Sequence, residues 1–83
     1  MATQHNVTVG IDLGDRYGHL CLLDAENGEV IEESRIATSR EAFDRRFSGA
    51  EPMLVAIETG THSPWVSRIL EDHGHEVLVA NAR

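Results

Sequence analysis

The stretch that most restricts the fold is Met53–Ile57, a run of apolar residues that ends at Glu58. A continuously apolar strand is typical of the centre of a sheet, where helices cover both faces. The run therefore predicts an α/β domain rather than a bundle of helices. At 83 residues, the chain is long enough for one such domain.

Three segments before this run have the two-residue hydrophobic period of half-buried strands. They are Val7–Leu13, His19–Leu23 and Glu29–Ile36. Asn27-Gly28 lies between the second and the third, and this dipeptide is a strong signal for a tight hairpin. The charges along the third segment suit an edge strand. We therefore expect an antiparallel meander of three strands.

A helix is predicted between the meander and the apolar run. Thr38–Glu41 has the spacing of a capping box, which marks a helix start. Phe43 and Phe47 are four residues apart and so share one helical face. Gly49 is placed to end this helix.

A second helix is predicted after the apolar run, with Ser63 as its N-cap and Pro64 at its first position. Gly74 marks its end, and His75–Ala80 is a fifth strand. The order β-β-β-α-β-α-β predicts a mixed sheet in which the last strands are parallel. The inward stripe of the second helix consists of Trp65, Val66, Ile69 and Leu70.

Composition and charge exclude several classes of protein. Hydrophobic residues at 41% and charged residues at 25% are ordinary for a globular domain. No apolar run approaches the ~18 residues of a membrane span, and no signal peptide is evident. A single cysteine, Cys21, forms no internal disulfide, which fits a cytoplasmic protein. The net charge of -7, with arginine as the only cation, argues against an independent nucleic-acid-binding module.

Two carboxylates stand at strand ends, where they are candidates for chemistry. Asp12 lies near the end of the first strand, and Glu58 ends the apolar one. If these strands are parallel neighbours, both side chains emerge at one edge of the sheet, where α/β proteins bind ligands. Two such carboxylates suit Mg²⁺. The simpler interpretation is that each acid only ends its strand and meets solvent. Asp15 is interpreted as a turn residue, and Glu32 and Glu33 as a solvated edge.

Other residues carry weaker signals. His73 and His75 lack a third ligand, which argues against zinc. Cys21 is interpreted as a buried small hydrophobe, and Trp65 as part of the core. The spacing of Gly10, Gly14 and Gly18 does not match the dinucleotide-binding fingerprint.

Three segments, in order, resemble one family: Val9–Gly14, Ala56–Trp65 and Gly74–Arg83. The family is that of the DEDD-type transposases of insertion elements, the insertion sequence 110 class that includes the pilin-gene invertase Piv. The resemblance is to their N-terminal RuvC-like domain, which has the ribonuclease H (RNase H-like) fold. It covers the chain from about residue 7 to residue 83.

The resemblance implies that Asp12 and Glu58 are the first two of four acids that hold Mg²⁺ or Mn²⁺ once the site is complete. The other two acids and a nucleophilic serine would lie beyond Arg83, so that residues 7–83 would be a C-terminally truncated domain after a mobile segment 1–6. In the full-length protein, the partners implied are DNA and an element-encoded guide RNA. The chain alone is then expected to be inactive in DNA transposition.

Two alternatives to this family remain open. One is a nucleotide-binding fragment of the actin/Hsp70/sugar-kinase type, which also begins with a strand and a glycine turn. The other is a non-catalytic remnant that acts as an interaction module. Its uncovered last strand would favour a homo-oligomer.

Overall fold

The computed structural model describes residues 5–81 of the chain. The predicted order of strands and helices is confirmed, and the elements differ from the prediction only at their ends. Of the segment 1–6, expected to be mobile, residues 1–4 lie outside the described range, and so do residues 82–83. The elements are β1 (Val7–Leu13), β2 (Tyr17–Asp24), β3 (Val30–Ala37), α1 (Arg40–Phe47), β4 (Leu54–Glu58), α2 (Ser63–Asp72) and β5 (Glu76–Ala80).

The five strands form one mixed sheet in the order β3-β2-β1-β4-β5. The pairs β1/β2 and β2/β3 are antiparallel, as predicted for a meander. The pairs β1/β4 and β4/β5 are parallel. Gly28, at the predicted hairpin, has a φ of 75°, a conformation that favours glycine.

Both helices pack on one face of the sheet and form the core with it. Phe43 and Phe47 of α1 and Val66 and Leu70 of α2 are fully buried. The two phenylalanine rings lie 6.0 Å apart at their centroids. The core strand residues beneath them are Val9, Ile11, Leu20, Leu22, Ile36, Val55 and Ile57.

The opposite face of the sheet, which we call the open face, is not covered by any element of residues 5–81. Leu54 and Ala56 of β4 are therefore only half-buried, and the expected burial of this strand on both faces is not found in the described part of the chain. Cys21 also lies half-buried on the open face, so its interpretation as a buried hydrophobe is wrong. Leu78 of β5 is 52% exposed there.

The start of α1 differs from the prediction by one residue. Ser39, not Thr38, is the N-cap, because its hydroxyl accepts the Ala42 N–H at 3.2 Å. The Thr38 hydroxyl instead donates to the Gly14 carbonyl at 2.7 Å. The Thr38 side chain, which the local pattern assigned to the cap, therefore forms a longer-range bond instead.

The start of α2 differs in the same way. His62 holds the N-cap position, and Ser63 is the first helical residue. The Ser63 hydroxyl donates to the Gly60 carbonyl at 2.9 Å, which orders the preceding loop. The predicted helix ends are confirmed, since Gly49 and Gly74 have φ values of 75° and 89°.

Glu32 is not a purely solvated residue, in contrast to the interpretation of Glu32 and Glu33. Its carboxylate accepts bonds from the Ser34 hydroxyl (2.7 Å) and from Arg46 of α1 (2.9 Å). The hydrogen bond from Ser34, together with the Arg46 guanidinium, holds the pKa of Glu32 below its usual range. The pair ties the edge strand β3 to the helix that covers it.

A buried histidine joins three segments of the chain. Nδ1 of His75 accepts the Met53 N–H at 3.1 Å, and Nε2–H donates to the Phe47 carbonyl at 3.1 Å. These partners require a neutral ring with its proton on Nε2. His75 thereby satisfies backbone groups at the end of α1 and just before β4.

We expect His75→Ala to lower the free energy of unfolding by about 3 kcal/mol, because it leaves a buried donor and a buried acceptor without partners. Urea denaturation measures the loss. His19→Ala is the matched control, since the His19 side chain is 58% exposed and its removal should cost less than about 0.5 kcal/mol. Equal midpoints for the two variants would contradict this role of His75.

No helix within residues 5–81 is long and apolar enough to cross a membrane.

Candidate functional site

The carboxyl ends of β1 and β4 form the candidate site. The last paired residues of these parallel strands are Ile11 and Ile57. Asp12 and Glu58 follow them directly, at matching positions. Neighbouring strands lie ~4.8 Å apart, so the two strands present these carboxylates side by side. The structure thus brings together the two acids that the sequence singled out.

The strand period explains why both acids are accessible. Ile11 and Ile57 point into the core, and successive side chains of a strand alternate between its faces. Asp12 and Glu58 therefore point to the open face, and both are exposed. A slip of one residue in the β1/β4 register would place the two acids on opposite faces.

Asp12 and Glu58 line two adjoining depressions. One is a pocket of about 230 Å³ at the strand ends, which we call the carboxylate pocket. The other is a shallow depression on the open face, where Cys21 and Ala56 also lie. The acids stand where the two meet. The carboxylate pocket is lined by Asp12, Leu13, Asp15, Glu58, Thr59, Gly60, Thr61 and His62.

A hydrogen-bonded chain at the carboxylate pocket escaped the sequence analysis. The Trp65 Nε1–H donates to Nδ1 of His62 at 3.1 Å, and Nε2 of His62 lies 3.2 Å from Oδ1 of Asp15. Asp15 is therefore more than a turn residue. Trp65 is half-buried, and its ring edge meets Phe43 at a centroid distance of 5.7 Å. The three-residue spacing of His62 and Trp65 at a helix start could have signalled their contact.

The turn that carries Asp15 is fixed by backbone bonds. The Gly14 N–H donates to the Tyr17 carbonyl at 3.1 Å, and the Thr38 N–H donates to the Arg16 carbonyl at 2.8 Å. A Cβ atom at Gly14 would lie 2.6 Å from the Tyr17 carbonyl oxygen. Glycine is thus required here by a close backbone approach.

The loop that follows Glu58 is tied to the end of β5. The Thr59 N–H donates to the Ala80 carbonyl at 2.7 Å, and its hydroxyl donates to the same oxygen at 3.0 Å. These bonds hold the backbone next to Glu58 in place. They also engage the hydroxyl of Thr59, the residue that follows Glu58 in the sequence.

The remaining histidines of the described chain do not line the carboxylate pocket. Nε2 of His73 lies 2.7 Å from Oδ1 of Asp44, whereas His75 is buried between backbone groups, so the two rings have different partners. His19 lies opposite Asp12 in the β1/β2 ladder. Within residues 5–81, no group of three or more His, Cys, Asp or Glu side chains is placed to hold a metal ion.

Comparison with known proteins identifies the fold. No protein-family model and no curated protein matches this sequence. Among solved structures, T. thermophilus RuvC in complex with a Holliday junction substrate matches with a TM-score of 0.64 and 16% identity. The match covers 93% of this chain and 65% of that one. The chain has the RuvC-like, ribonuclease H-like fold, which confirms the predicted fold class.

The likeness to RuvC is one of architecture, because 16% identity establishes the fold and not the reaction. The chain spans about 65% of the length of the RuvC chain that it matches. Membership of the insertion-element transposases, and the roles of Asp12 and Glu58, stay predictions.

We expect Gly14→Ala to destabilise the chain by roughly 1–3 kcal/mol, because the added methyl would collide with the Tyr17 carbonyl and displace the Asp15 turn. Gly10→Ala, within β1, is the matched control, since no atom lies within 4 Å of a Cβ built there. Thermal unfolding compares the two. Equal melting temperatures would show that the turn adapts to the methyl group.

Proposed function

We propose that this chain is the RuvC-like domain of a DEDD-type insertion-element transposase, in which Asp12 and Glu58 are two ligands of a Mg²⁺ or Mn²⁺ site for DNA strand cleavage and transfer. The observation that carries the proposal is the parallel register of β1 and β4, which aligns both acids at the carboxyl ends of adjacent strands. Open α/β sheets bind their ligands at such ends.

The two residues suit the proposed cation. Carboxylate oxygens are the donors that Mg²⁺ and Mn²⁺ prefer, and both acids are exposed to the same pocket. A site with two carboxylates is incomplete, so we assign its other ligands to parts of the protein other than residues 5–81. When bound, such a cation activates an attacking oxygen and stabilises the leaving oxygen of a phosphodiester.

Two independent likenesses support a DNA substrate. The matching RuvC structure is one in complex with a Holliday junction substrate. The segments Val9–Gly14, Ala56–Trp65 and Gly74–Arg83 resemble DNA transposases. With a net charge of -7, this chain itself repels DNA at long range. We therefore propose that the basic surface for DNA and for a guide RNA belongs to other parts of a full-length, cytoplasmic protein.

The nucleotide-binding alternative has less support. Actin/Hsp70/sugar-kinase-type proteins usually follow the first glycine turn with Ser or Thr residues that contact phosphate. Here Asp15 follows Gly14 and lines the same pocket as Asp12 and Glu58. The turn from Gly14 to Gly18 carries no Ser or Thr that could contact the phosphates of a nucleotide.

Metal binding is the direct test of the proposed site. We expect Mn²⁺, added to the ¹⁵N-labelled chain, to broaden first the amide signals around Asp12 and Glu58. Asp12→Asn and Glu58→Gln should each remove this selective broadening, because each deletes one charged ligand. Glu51→Gln, an exposed acid before the opposite end of β4, is the control and should leave it unchanged. Uniform broadening at all acids would contradict the site.

We also expect the isolated chain to show no turnover of DNA in the presence of Mg²⁺ or Mn²⁺, because two carboxylates do not complete a phosphoryl-transfer site. A plasmid-nicking assay measures this. Cleavage that disappears in Asp12→Ala would show that residues 1–83 already form a working centre.

A further inference from the structure

We propose that the Nε2–H of His62 donates a hydrogen bond to a phosphodiester oxygen of the DNA strand engaged at Asp12 and Glu58. When no strand is present, the same Nε2–H donates to Asp15 instead. The inference rests on the proposed function, because it assumes that a strand enters the carboxylate pocket. It assigns a role to a group that the four-acid scheme leaves out.

The tautomer of His62 is fixed from the core side. An indole nitrogen is a donor only, so the 3.1 Å bond from Trp65 requires Nδ1 of His62 to be an acceptor. The neutral ring then carries its proton on Nε2, the atom that faces Asp15. His62 therefore presents a donor at the mouth of the carboxylate pocket.

The orientation of the ring is fixed as well. His62 and Trp65 pack edge to face, with centroids 5.8 Å apart and an interplanar angle of 84°. Trp65 in turn packs on Phe43, which is fully buried. The His62 side chain is 25% exposed, so most of the ring is shielded from the solvent. A ring held in this way loses little conformational freedom when it binds a ligand.

Asp15 is a weak partner that a phosphate can replace. Its side chain is 95% exposed, and ion pairs or hydrogen bonds at such a position contribute little. A phosphodiester oxygen is also an anionic acceptor, so the exchange keeps the bond to Nε2–H. The turn of Asp15 and the helix of His62 are 47 residues apart in sequence, which makes their contact a property of the fold.

His62 is also the best-placed donor for a strand in this pocket. The described residues that line it include three carboxylates and no arginine. The Thr59 hydroxyl is engaged by the Ala80 carbonyl. Thr61 is exposed, whereas His62 is held by its bond to Trp65. An incoming phosphate therefore meets one oriented side-chain nitrogen donor among the acids.

The ring state is tested first, by ¹⁵N-detected NMR of the histidine nitrogens in the full chain. We expect His62 to show a protonated Nε2 and an acceptor Nδ1. Trp65→Phe keeps an aromatic ring but removes the donor, and should convert His62 to a mixture of tautomers. An unchanged ring signature in Trp65→Phe would overturn the proposed control of the tautomer.

Binding is tested by titrating the chain with a thymidine trinucleotide and Mg²⁺ while following the amide and ring signals. We expect His62→Ala to weaken binding about tenfold, in line with the loss of one hydrogen bond to a charged acceptor. His62→Gln retains an amide donor and should recover most of the affinity, which a loss of folding would not allow. Trp65→Phe should have no additional effect in the His62→Ala background.

The role of Asp15 is tested by Asp15→Asn, which should tighten binding several-fold because it weakens the competitor. Asp72→Asn is the matched control: it removes an equal charge at the far end of α2, about 14 Å along the helix axis. Equal gains in affinity from both variants would show that the effect comes from net charge alone, and would overturn the exchange with Asp15.

The outcomes separate this inference from the proposed function. Selective Mn²⁺ binding with an affinity for the trinucleotide that His62→Ala does not change would overturn the role of His62 and leave the metal site standing. Trinucleotide binding that depends on His62 but not on Asp12 or Glu58 would overturn the proposed metal site and leave the role of His62 standing. No binding of the trinucleotide at all would overturn the inference, whatever the metal does.

Discussion

The rest of the structure depends on the parallel pairing of β1 with β4. This ladder joins the antiparallel meander to the βαβ unit and so makes one sheet out of two parts. It also decides which residues meet at the carboxylate pocket, because Asp12 and Glu58 are aligned only in the observed register. Stability and the candidate site thus depend on the same hydrogen bonds.

The packing around that ladder is one-sided. One face is covered by Phe43, Phe47, Val66 and Leu70. The open face carries half-buried apolar residues, and Asp12 and Glu58 lie on it at the ends of β1 and β4. A small domain has little stability in reserve, so the buried bonds of His75 and the edge pair of Glu32 with Arg46 matter more than they would in a larger protein.

Sequence patterns were sufficient where a feature is local. The strand alternation of Val7–Leu13, the hairpin glycine Gly28 and the helix-ending glycines Gly49 and Gly74 are set by backbone sterics within a few residues. Even the adjacency of Asp12 and Glu58 could be predicted, because a continuously apolar strand has few other places in such a sheet. Their chemical role, in contrast, is not decided by their placement.

Most of the failures concern contacts between distant segments, either made or absent. Thr38 matched a cap pattern, but its hydroxyl donates to the carbonyl of Gly14, in the turn after β1. Cys21 matched a buried position, but no described element covers its face. The bond between His62 and Asp15 joins an N-cap to a distant turn, which no local periodicity reports.

The span of the β1/β4 ladder has a consequence for folding kinetics. Thr8 pairs with Leu54, 46 positions later, whereas Leu13 pairs with the nearby Gly18 across a short turn. Loop closure makes distant pairings slower to form than local ones. The hairpins therefore have time to assemble before Asp12 and Glu58 come together. An ion that binds only when both carboxylates are in place would stabilise the native state more than the transition state of folding. It would therefore slow unfolding more than it speeds folding.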